Sequence, residues 1–285
     1  MEGIKMNDIK MEAAVIFDSY LPEALRLALN YAGDDGFVAS LPQLLHARAN
    51  ADYDNIIWNT WFTTNSEESV VTTRQGNRVV VAVHGGGIFG SPDRFEKLYR
   101  ANQNRASEFG FTGQYSAKIS IQEAQDVLEG KLPDGSEIPI YPFEEFKRGV
   151  ADQPWRYGVI LDFEMARRSK KGYQSFDILR DEPNMIVRAG GIEAAAAYLD
   201  KAQARHDTKV MGNFHPFDHI NPDQAQARVP FLAGNKGGVE SENNYQDYGF
   251  DSEYGIGGFA CPLNMARYVA VAPRDVSTSV RYLWS

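Results

Sequence analysis

The chain has 285 residues, 43% of them hydrophobic and 24% charged, the profile of a globular protein with a large core. A formal charge of −9 opposes long-range attraction to nucleic acid or anionic membranes, and no apolar run approaches the ~18 residues of a membrane span, so neither partner is expected. Cys261 is the one cysteine, which excludes an intrachain disulfide and a thiolate zinc cluster, and the N-terminal "MEGIKMNDIKMEAAVIF" mixes acids with lysines, so a cytoplasmic location is expected.

"LPEALRLALNYAG" predicts a helix over residues 22–32, with Pro22 at its start and Gly33 as its stop, and "LPQLLHARANA" a second. Val70–Thr73 and Val79–Val83, separated by a glycine-containing turn, read as a hairpin. Ser91, Pro92 and Asp93 launch a helix over 92–105, and the Ser120/Glu123 capping box one over 120–129. "KLPDGSEIPIYPF" reads as a turn with short extended flanks, and "WRYGVILDFE" as a buried strand over 157–163. "NMIVRAGG" reads as a short strand and glycine turn before an alanine-rich helix over 192–204, and "TKVMGNF" as a strand over 209–214. Residues 234–258 carry many glycines and acids, the composition of a mobile loop or arm, and alternation returns in "ARYVAVAPRDVSTSVRYLW". With no internal repeat and no clear linker, residues 1–285 are expected to form one α/β domain, a mixed sheet with flanking helices, with α+β as the alternative.

The stretch "RVVVAVHGGGIFGSPDRF" holds the first chemical signal. Gly85, Gly87 and Gly90 satisfy the G-x-G-x-x-G spacing after a strand, which keeps a nucleotide-binding module as one alternative. Against it, the helix restarts at Ser91 and no second acid-ended strand follows about twenty residues on. His84-Gly85-Gly86-Gly87 matches the backbone-donor motif of some α/β-hydrolase esterases, but no G-x-S-x-G elbow is present to supply the nucleophile. The Gly85, Gly86 and Gly87 amides remain candidates to cradle an anion or cofactor.

The second signal is a constellation. Three apolar runs end on groups that bind metals or move protons: Val79–Val83 at His84, Val159–Leu161 at Asp162 and Glu164, and Val210–Phe214 at His215. If those ends share one edge of a sheet, they converge on a site, with Glu164 as general acid or base, Asp162 and His84 beside it, and His215, Asp218 and His219 as ligands for zinc, manganese or iron. Each residue also has an ordinary reading: a loop-anchoring histidine, a helix-capping carboxylate, a rigid proline-bounded loop. The expectation is a metal-assisted or carboxylate-dependent hydrolase or lyase on a small polar substrate. The alternative is a non-enzymatic, self-assembling subunit that forms a homo-oligomer through residues 234–258.

Overall fold

The computed structural model describes residues 14–58, 60–103, 110–112, 116–169, 172–206, 210–214, 217, 220–232, 250–251, 265–272 and 281–284. Strand β1 (Ala14–Tyr20) runs directly into α1 (Leu21–Ala32), which ends where the Gly33 amide bonds back to the Leu29 carbonyl at 3.0 Å. After β2 (Phe37–Val38), α2 (Leu41–Asn50) starts at Ser40, whose amide is held by the Gln43 side chain at 2.7 Å. Short β3 (Phe62–Thr63) precedes the expected hairpin, β4 (Ser66–Thr72) and β5 (Arg78–His84), with Val70 opposite Val80.

Helix α3 (Pro92–Gln103), β6 (Phe111–Thr112) and β7 (Ser116–Lys118) lead to α4 (Ile121–Leu128), capped reciprocally by Ser120 and Glu123 as the sequence implies. Strand β8 (Ile140–Pro142), α5 (Phe143–Phe146), β9 (Tyr157–Asp162), α6 (Phe163–Arg167), β10 (Gly172–Ser175) and α7 (Phe176–Arg180) follow. The "NMIVRAGG" segment departs from expectation, because it is helical: α8 (Pro183–Ala189) has Pro183 in its first turn and left-handed Gly190 at its end. Those two residues bracket one helix, and the short apolar run between them has no period of its own.

Helix α9 (Ile192–His206) and β11 (Val210–Phe214) match expectation, and β12 (Gln226–Arg228), β13 (Phe231–Leu232), β14 (Phe250–Asp251), β15 (Met265–Val271) and β16 (Arg281–Trp284) complete the described elements. The architecture is mixed α/β. Its sheets are ordered β16-β1-β15-β2, β10-β11-β14-β13-β3 and β6-β7-β12-β4-β5-β9-β8.

Strand β5 explains the chain's longest valine run. Val79, Val81 and Val83 enter the core beneath α1, α3 and α4, while Val80 and Ala82 enter the one that holds Phe143, Phe163 and Ile186. Alternate side chains thus bury on opposite faces, each valine stabilising the fold by roughly 1.5–3 kcal/mol. Strand β5 pairs antiparallel with both β4 and β9, and that direction governs what its ends bring together.

Candidate functional site

His84 closes β5, an interior strand of the seven-stranded sheet, and is 1% exposed. Its Nε2 lies 3.1 Å from the Val187 carbonyl, which only accepts, so Nε2 carries the proton; Nδ1, 2.9 Å from Ser66 Oγ, accepts the hydroxyl proton. Ser66 Oγ in turn accepts the Leu41 amide at 2.9 Å. One relay therefore ties α2, β4, β5 and α8 together, and both imidazole nitrogens are occupied. Burial drives the His84 pKa down to about 4, against the opposing pull of the Val187 carbonyl and Glu68.

Glu67 and Glu68 are adjacent on β4, so they face opposite ways. Glu68 is buried between Arg188 of α8 and Arg228 of β12: Arg188 donates to both carboxylate oxygens, the Nη2 bond measuring 2.7 Å, and Arg228 Nε donates at 2.9 Å. Burial alone would raise its pKa, but the two guanidiniums hold it at about 2. Arg228 also lies over the Phe217 ring at 3.9 Å.

Glu67 faces the glycine loop. Its Oε1 accepts from Ser69 Oγ at 2.6 Å and its Oε2 from the Phe89 amide at 2.8 Å. Burial pushes its pKa up to about 7, because those two hydrogen bonds only partly offset the lost hydration. Neither glutamate is marked by an apolar run ending. The available signal is two consecutive acids inside a strand that pairs with the apolar run Val79–Val83, an arrangement that requires buried partners.

The glycine loop is set by this packing. Gly85, Gly86 and Gly87 have φ values of +83°, +152° and +110°, and the Gly85 and Gly86 amides both bond to the Asn65 carbonyl, at 2.9 and 3.1 Å. A Cβ on Gly87 would stand 2.8 Å from Glu67 Oε2. The loop continues into a single 3-10 turn, Ile88–Gly90, and then into α3. Because β5 is antiparallel on both sides, the strand-helix-parallel-strand context of a dinucleotide fingerprint is absent at this loop.

The strand ends do not converge as expected. Asp162 pairs with Val79 and Tyr157 with His84, so Asp162 lies five residues along the ladder from His84, about 17 Å away. Asp162 caps α6 by accepting the Met165 amide at 2.9 Å, and Glu164 sits in the first turn of that helix, half exposed and 3.5 Å from Arg167. The helix starts at Phe163, so the two acids do not share one strand face. His215, Asp218 and His219 lie outside the described residues, as do residues 234–249 and Cys261. Among the described residues, no group of three or more histidine, cysteine or carboxylate side chains is placed to hold a metal.

No family model matches the chain, and no curated protein matches it. One solved structure is similar, with a TM-score of 0.64 and 21% identity over 91% of this chain and 98% of that one; it is described as accommodating massive sequence variation in Nanoarchaeota by the C-type lectin fold. At that identity the likeness speaks to the fold. Together with the separated strand ends and the lack of a metal-holding group among the described residues, it corrects the expectation of a metal-binding hydrolase or lyase.

Proposed function

We propose that the protein works without catalysis, as a binding scaffold that associates with further copies of itself. The observation that carries this reading is how the ionisable groups are used: His84, Glu68, Arg188 and Arg228 are buried and bonded to structural partners, and Asp162 caps a helix. Groups held this way pin elements together and do not meet a substrate. The similar structure supports it further, since the fold there accommodates massive sequence variation, which suits a frame stabilised from within while its surface changes.

Self-association through residues 234–258 is tested by light scattering on the eluted protein over a concentration series, with the full chain and with that segment replaced by a short Gly/Ser linker. The full chain is expected to associate with rising concentration and the shortened chain to remain monomeric. A full chain that is monomeric throughout contradicts self-assembly. Among the described residues no helix is long and apolar enough to cross a membrane, and a cytoplasmic location completes the proposal.

A further inference from the structure

A cavity of about 210 Å³ opens on the outer side of the glycine loop, away from Glu67. Its apolar walls are Leu29, Pro92, Leu132 and Pro133, and Arg156 supplies its cation. The guanidinium lies 5.4 Å over the Trp155 ring and is held on one side, Nη2 donating to Asp134 Oδ2 at 2.7 Å. Its buried Nε has no hydrogen-bond partner among the described residues. Gly86 keeps the space beside it clear, because a Cβ there would stand 3.1 Å from Arg156 Nη2 and 3.2 Å from Leu132 Cδ1.

We propose that this cavity binds a small monocarboxylate, with the carboxylate on the Arg156 guanidinium and a short hydrocarbon body against the leucine and proline walls. A cavity of this size, open to solvent on one side, suits a small ligand whose short hydrocarbon chain lies against the four apolar walls. An arginine donates to a carboxylate in a charge-assisted geometry, and the Arg156 side chain, 21% exposed on the cavity and held to Asp134 through Nη2, offers further guanidinium donors to it. Asp134 sets the charge preference. Its carboxylate, 54% exposed, is screened enough to tolerate one further negative charge nearby but repels a dianion more strongly.

The test is an NMR titration of the isotope-labelled full chain with butyrate, reading the Gly86 and Gly87 amides and the Arg156 Nε–H, with butyramide and inorganic phosphate as controls. Butyrate is expected to give saturable shifts at these groups, with butyramide and phosphate weaker by about tenfold or more, the effect of one charge-assisted hydrogen bond. Arg156→Gln should weaken butyrate by a similar factor, whereas Asp134→Asn, which keeps the turn but removes the competing charge, should tighten it several-fold. Absence of saturation, equal binding of butyramide or phosphate, or indifference to Arg156→Gln overturns the proposal. Should Arg156→Gln fail to fold, Asp134→Asn decides alone: unchanged or weaker butyrate binding overturns it.

Discussion

His84 and Asp162 belong to adjacent strands yet stand at opposite ends of them, because β5 and β9 run antiparallel and Val79, not His84, faces Asp162. Two apolar runs that each end in a polar group place those groups on one edge of a sheet only when the strands are parallel. Here the groups are given separate structural work. His84 locks the relay through Ser66 and Val187, and Asp162 starts α6.

Two buried groups with oppositely displaced pKa values should make pH a probe of this core. His84 titrates near 4 when folded and near its ordinary 6.5 when unfolded, so its contribution to stability is complete above about pH 6.5 and is lost as pH falls towards 4. Glu67 titrates near 7 when folded and near 4.5 when unfolded, so its contribution is complete below about 4.5 and is lost as pH rises through 7. The two slopes cancel between pH 4.5 and 6.5. Glu67→Gln should unmask the histidine, giving a stability that rises with pH over that window by on the order of 2–3 kcal/mol, and His84→Asn should give the reverse slope. Denaturant melts of the three proteins at several pH values check this; parallel slopes would contradict it.

Removing Glu68 should cost more than either. Glu68→Ala leaves Arg188 and Arg228 as buried cations without their shared anion, a change that destabilises by about 3–5 kcal/mol in comparable sites. A loss below about 1 kcal/mol in urea unfolding would show that the triad is not organised as described.

The glycine loop makes a prediction with an internal control. Gly87→Ala combines a φ of +110° with a Cβ pressed on Glu67, and should destabilise by about 2 kcal/mol or more, whereas Gly135→Ala, at φ +82° in open space, should cost about 1 kcal/mol. Equal costs in thermal or urea unfolding would mean that Glu67 does not pack against the loop.

Much of the fold is legible in the sequence because it is written locally. The Ser120/Glu123 box, Pro22 with Gly33, and the hairpin valines each specify an element from neighbouring residues, and the structure places those elements as expected. The "MIV" of α8 is too short for its period to separate helix from strand, so the packing of Ile186 and Val187 beneath β5 decides it. The candidate site depends on strand direction and on contacts far apart in the chain, such as Glu68 with Arg188 and Arg228, and no local pattern encodes either.

As an anchor of the fold bonded at both ring nitrogens, His84 should keep one protonation state through the physiological range. Long-range nitrogen–proton NMR of the imidazole between pH 5 and 8 tests it most directly. The ring is expected to be neutral and protonated at Nε2 throughout, with no titration in that range. A His84 that titrates with a midpoint near neutrality, or that carries its proton on Nδ1, would contradict it.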